Sequence, residues 1–143
     1  MSCFVSKSVK ETQKAAYRLA SLLKKRDIVC LEGDLGTGKT TFSKALIHAL
    51  TSISPHKITS PTFTYLNIYE AGDLQICHFD LYLIRSLPQF LEAGFLDFLQ
   101  DPSTICCIEW PELLYPFLSR PLYKILFSHE QNQNRRVEII CPL

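Results

Sequence analysis

Apolar residues recur along this chain at two periods, and each change of period marks an element. Ala15, Ala16, Leu19, Leu22 and Leu23 fall at helical spacing and predict an amphipathic helix over residues 9–25. Ser8 and Glu11 open it as a capping box, and Lys24-Lys25-Arg26 suit the negative pole of its dipole, reading as a solvated last turn rather than an RNA patch. Ile28-Val29-Cys30-Leu31 is wholly apolar, the pattern of a strand buried on both faces of a parallel sheet. Thr41 to Leu50 returns to helical spacing, with Phe42, Leu46 and Ile47 on one face and Ser54-Pro55 as its stop. Residues 65–69 and 74–79 then alternate with a period near two about Ala71-Gly72-Asp73, which predicts a hairpin delivering Asp80 at a strand end. Leu87-Pro88 breaks the chain, and Phe90, Leu91, Phe95, Leu96, Phe98 and Leu99 make short apolar helical turns around Gly94. Ile105-Cys106-Cys107-Ile108 is a second fully apolar strand, ending in Glu109; a short helix over residues 112–118 follows Pro111. Residues 122–127 and 136–140 predict a terminal antiparallel pair. This order of elements predicts an α/β fold in three layers, its central β-sheet mixed: parallel in the middle and antiparallel elsewhere.

The link between the first apolar strand and the second helix carries the chemistry. Gly33-Asp34-Leu35-Gly36-Thr37-Gly38-Lys39-Thr40 matches G-x-x-x-x-G-K-[ST] at every fixed position and sits between a strand and a helix, the setting of a P-loop NTPase. Glycines there let successive backbone N–H groups turn toward a polyphosphate, and the positive end of the helix adds to the attraction. Lys39 is expected to meet the β- and γ-phosphates of ATP and to stand exposed when the site is empty. Thr40 is expected to place its hydroxyl on Mg2+, with Thr41 completing the nucleotide contacts. Hydrolysis also needs the metal held from a second side and a group that orients water. Glu109 and Asp80 each end an apolar strand, so each is either a solvated strand-end acid or one of these carboxylates. The hydroxyl-rich segment 58–64 reads equally as a loop into an edge strand or as a segment sensing the γ-phosphate. His78 reads as a hydrogen-bonded packing residue, and Trp110, next to Glu109, as core unless the nucleotide lies nearby.

Composition narrows the setting. A chain of 143 residues, 47% hydrophobic and 20% charged, predicts a single domain over residues 1–143. A net charge of +1 gives no global field toward nucleic acid or anionic membrane, and no apolar run approaches spanning length. The chain is expected to be soluble and cytoplasmic. Its six cysteines lack C-x-x-C spacing and read as small core residues in a reducing compartment, with Cys106 and Cys107 on opposite faces of their strand.

Four segments, GDLGTGKTTF at 33–42, SPTFT at 60–64, HFDLY at 78–82 and IEWP at 108–111, occur in an order and spacing that resembles the bacterial TsaE (YjeE) family over nearly the whole chain. The resemblance implies a small ATPase that works with the proteins TsaB and TsaD to make threonylcarbamoyladenosine in tRNA, the tRNA being met through the complex. It implies Lys39 as the phosphate lysine, Thr40 and Glu109 as magnesium ligands, and Asp80 as an acid required for activity. One departure stands out: the family continues HxDxYR, whereas Leu83 follows Tyr82 here, leaving Arg85, Arg135 and Arg136 as open candidates for a cation. Two other readings use the same loop, a small-molecule or nucleotide kinase and a nucleotide-sensing adaptor without catalysis.

Overall fold

The computed structural model describes residues 2–142. Its elements are β1 (Ser2–Ser6), α1 (Val9–Ala20), β2 (Ile28–Glu32), α2 (Lys39–Thr51), β3 (Leu66–Ala71), β4 (Leu74–Asp80), α3 (Leu87–Glu92), α4 (Leu96–Gln100), β5 (Thr104–Glu109), β6 (Leu122–His129) and β7 (Arg135–Ile140). The strands form one seven-stranded sheet in the order β1-β7-β6-β2-β5-β4-β3. β2 lies in its middle, parallel to both β5 and β6, and β4 is parallel to β5; the remaining pairs are antiparallel. This is the mixed α/β sheet that the order of apolar runs predicts.

The wholly apolar strands are apolar because both of their faces are covered. Val29, Leu31, Cys107, Ile125 and Phe127 pack under Ala15, Ala16 and Leu19 of α1 and Phe42, Ala45 and Leu46 of α2. Ile28, Cys30, Cys106 and Ile108 point the other way, against Phe90 of α3, Leu99 of α4 and Leu114. Cys106 and Cys107 thus divide between the two cores, as alternation along a strand requires. Leu46 is fully buried under the parallel strands. Leu46→Ala should cost about 2–5 kcal/mol, read as a lower midpoint of denaturant unfolding. An unchanged midpoint would mean that α2 does not clamp this sheet.

Several boundaries differ from the sequence expectation. α1 stops at Ala20, not at residue 25, because Leu22 and Leu23 donate to carbonyls only three residues back and Arg26 turns left-handed (φ 80°) to enter β2. The Asp27 carboxylate caps that turn by accepting from Lys24 N at 2.8 Å. α2 begins at Lys39, inside the glycine motif, and ends at Thr51, where Ser52 adopts φ 62° before Pro55 is reached. Leu87-Pro88 opens α3 as its first turn, where a missing N–H costs nothing. β1, which the sequence pattern does not reveal, pairs with β7 and closes one edge of the sheet.

What matters for the site is the register of the carboxyl ends. Leu31 of β2 pairs with Glu109 of β5, and Asp80 of β4 also pairs with Glu109. The loop after β2 therefore opens onto the edge at which both acids emerge, the usual place for ligands in parallel α/β sheets.

Candidate functional site

Residues 33–38 form a glycine-rich loop in which Gly33, Gly36 and Gly38 all take positive φ. Gly33 has φ +150°, and a Cβ there would stand 2.6 Å from the carbonyl oxygen of Phe127. Gly38, at φ +106°, turns the chain into α2 without a side-chain cap, leaving the first N–H groups of a 13-residue helix to a ligand. Thr37 is buried and donates from Oγ1 to the Asp34 carbonyl at 2.6 Å, bracing the loop from within.

Above this loop lies a cavity of about 550 Å3, a volume suited to a nucleotide-sized ligand. Leu35, Gly36, Gly38, Lys39, Thr40 and Thr41 line it, and so do Asp80 and Glu109. Gly33, Asp34 and Thr37 of the same loop are not part of the lining. Its opposite wall is the β1–α1 junction from Ser6 to Val9 together with Thr12; Gln133 and Arg135 reach it from the turn before β7. Apart from Arg135, which the sequence names as a candidate cation, that wall is not legible in the sequence, because it depends on β1 pairing with β7.

Lys39 is not exposed, contrary to expectation. Its residue is 5% accessible, and its ammonium donates to the carbonyls of Gly33 and Asp34 and lies 3.8 Å from the centre of the Trp110 ring. Burial pulls its pKa below the usual lysine value, opposed by the carboxylates of Glu109 and Asp80. Trp110 adopts φ 58°, a conformation costing on the order of 1–3 kcal/mol. That turn sets the indole at the cavity, against Lys39 and 4.9 Å from the ring of Tyr82, rather than deep in the core.

Glu109 is 1% accessible and fully engaged. Oε1 accepts from Thr40 Oγ1 at 3.0 Å; Oε2 accepts from Ser43 Oγ at 2.9 Å and from His78 Nε2 at 2.7 Å. Burial alone would raise its pKa, but the hydrogen bonds from His78, Ser43 and Thr40 outweigh it and keep the carboxyl below its ordinary value. Glu109 is thus joined to the hydroxyl of the residue that follows Lys39.

Asp80 is also buried, with Oδ1 accepting from Tyr82 N at 3.0 Å and Oδ2 from Thr62 Oγ1 at 2.9 Å. Thr62 belongs to the hydroxyl-rich segment, which is a loop leading into the edge strand β3, as one of the two sequence readings has it: Tyr65 N bonds to the Pro61 carbonyl and Asp80 N to the Tyr65 carbonyl, folding the loop back onto the end of β4. Phe63, its tip, is 84% accessible.

The three arginine candidates separate cleanly. Arg135 lines the cavity and donates from Nε to the Gly36 carbonyl at 3.1 Å. Arg136 pairs with Glu130, and the Arg85 side chain is not part of the lining.

With four sequence motifs meeting at one cavity, comparison with known proteins decides the family. The family model for threonylcarbamoyl adenosine biosynthesis protein TsaE matches residues 6–137. The chain belongs to the TsaE family. A protein from Rickettsia conorii, described as tRNA threonylcarbamoyladenosine biosynthesis protein TsaE, is 38% identical over 93% of this chain and 74% of its own length. One of the same description from Aquifex aeolicus is 40% identical over 76% of this chain and 75% of its own. The crystal structure of YdiB from Bacillus superposes with a TM-score of 0.76 at 27% identity, covering 99% of this chain and 86% of that one. In this TsaE-family chain the segments 60–64, 78–82 and 108–111 each supply lining residues to the glycine loop: Thr62, Asp80 with Tyr82, and Glu109 with Trp110.

Proposed function

We propose that this protein is the ATP-hydrolysing component of the tRNA threonylcarbamoyladenosine machinery and that Mg2+–ATP occupies the cavity above β2. The observation that carries the reading is the contact of Glu109 Oε1 with Thr40 Oγ1, a carboxylate and a hydroxyl held at 3.0 Å beside the phosphate loop. Both are hard oxygen donors, the kind that suits Mg2+. Among the described residues no three His, Cys, Asp or Glu side chains converge into a metal cage. Magnesium shared between one protein carboxylate, a hydroxyl and phosphate oxygens needs none. When bound, the ion would neutralise charge on the β- and γ-phosphates.

The chain's own groups supply the rest. The loop N–H groups and the start of α2 bind the polyphosphate. Lys39 exchanges the Gly33 and Asp34 carbonyls for phosphate oxygens, so ligand binding replaces neutral acceptors with anionic ones. Asp80 orients a water toward the γ-phosphate, and Arg135 stands at the rim as the arginine available to the nucleotide. The Thr62 contact makes loop 60–64 responsive to whatever changes at Asp80.

This cycle serves TsaB and TsaD, which carry out the transfer to tRNA, in the cytoplasm; residues 1–143 act as one ATPase domain. Among the described residues no helix is long and apolar enough to cross a membrane. A kinase would need an arginine-rich lid over the phosphates. Arg120, the arginine between Arg85 and Arg135, instead bonds to the Asp101 carbonyl at the opposite end of β5.

ATP hydrolysis measured alone and with TsaB and TsaD should rise in the complex; identical turnover in both would contradict coupling. Thr40→Ala and Glu109→Ala should each shift the magnesium dependence of hydrolysis to higher concentration. If magnesium acts on mutants and wild type alike, neither residue serves the ion.

A further inference from the structure

His78 has no place in the scheme above, yet it is fully buried and its Nε2 lies 2.7 Å from Oε2 of Glu109. It sits on β4 two residues before Asp80, paired in register with Cys107 of β5. Its other nitrogen, Nδ1, is buried without a hydrogen-bond partner among the described residues. A packing histidine ordinarily satisfies both nitrogens, so the asymmetry calls for an explanation.

The donors around Glu109 are not equivalent. Ser43 Oγ lies 2.9 Å from Glu109 Oε2 and 2.7 Å from the Lys39 carbonyl, and its single proton serves one of them at a time. Thr40 Oγ1 faces the cavity, where the magnesium reading gives its oxygen to the ion. Among the described residues, Glu109 is the one acceptor within hydrogen-bond distance of His78 Nε2. Donation to Glu109 needs a proton on Nε2; a proton on Nδ1 alone would strand an N–H donor in the core and remove the bond to Glu109.

We infer that His78 is the positioning residue of the magnesium carboxylate. Its Nε2–H holds Oε2 of Glu109 against β4, so that Oε1 alone is presented to Thr40 and the ion. A Glu side chain has several rotamers of similar energy, and without this bond the carboxylate is free to turn both oxygens toward Ser43 or away from the loop. The inference rests on the proposed magnesium site. It adds that the geometry of that site is set from a neighbouring strand, by a residue that touches neither metal nor nucleotide.

The test uses the full chain and ADP, with Trp110 fluorescence reporting binding, titrated in EDTA and at increasing magnesium. His78→Leu keeps bulk and loses the donor; His78→Gln returns an amide N–H near the position of Nε2. Loss of hydrogen-bond support to a metal carboxylate typically weakens metal affinity about 10- to 100-fold. His78→Leu should raise the magnesium midpoint by that factor while ADP affinity in EDTA stays as in wild type, and His78→Gln should recover most of the loss. Equal impairment of the two variants, or an unchanged midpoint in His78→Leu, overturns the inference and leaves the magnesium site standing. A wild type whose ADP binding ignores magnesium overturns the site and the inference together. Imidazole nitrogen NMR of the wild type gives a reading that no unfolded variant can obscure: the Nε2–H tautomer supports the assignment, and the Nδ1–H tautomer refutes it.

Discussion

Lys39→Ala should abolish productive ATP binding, lowering hydrolysis by at least about 10²-fold, on the scale of losing a positioned charge that stabilises the transition state. The structure sharpens this beyond the motif. Lys39 closes the loop on itself by donating to Gly33 and Asp34, and it is the lining residue of α2 that places a charge among the loop N–H groups. Alanine would remove the phosphate contact and also the contact with Trp110, so the fluorescence response to nucleotide should fall with the affinity. The core beneath is built from Phe42, Ala45 and Leu46, which Lys39 does not join, so the fold should survive. A folded Lys39→Ala protein that binds ATP and turns it over at the wild-type rate would refute the phosphate role.

Asp80→Ala should separate binding from turnover. A carboxylate near the γ-phosphate repels it in the ground state, so removing it leaves ATP affinity equal or better. Hydrolysis should slow by on the order of 10²-fold, the usual contribution of a positioned acid or base. The hydrogen bonds from Tyr82 N and Thr62 Oγ1 supply the competing possibility, that Asp80 merely ties down its loop. A purely structural residue would lose affinity in proportion to rate, as loop 60–64 came free. Equilibrium binding of an unhydrolysable ATP analogue beside single-turnover rates separates the two.

The parts of this site carried by local pattern could be read from the chain. Glycines at fixed spacing announce the loop because a Cβ at Gly33 would collide with the Phe127 carbonyl, and Asp80 and Glu109 could be named as strand-end acids, although that pattern does not separate a site carboxylate from a solvated one. Parallel register then brings those ends together, as the fold class implies. Long-range pairing was not legible. β1 is a short edge strand whose partner lies more than a hundred residues away, so neither it nor the Ser6–Thr12 wall could be placed. Arg135 could be named but not chosen over Arg85 and Arg136 without the β6–β7 hairpin. Ser43 could have been found: it lies one helical turn after Thr40, on the same face of α2, a spacing that aims both hydroxyls at one partner. The burial of Lys39 is not legible in the sequence because it follows from carbonyls of its own loop turning toward the ammonium, a backbone property that side-chain patterns do not encode.

The central claim is that this cavity hydrolyses Mg2+–ATP. Its most direct test follows γ-labelled ATP under single turnover, with protein in excess, at saturating magnesium and in EDTA. The account predicts inorganic phosphate and ADP in equal amounts, formed only with magnesium and strongly slowed in Asp80→Ala. Label transferred to an acceptor other than water, or ATP bound and returned intact both alone and with TsaB and TsaD, would contradict it.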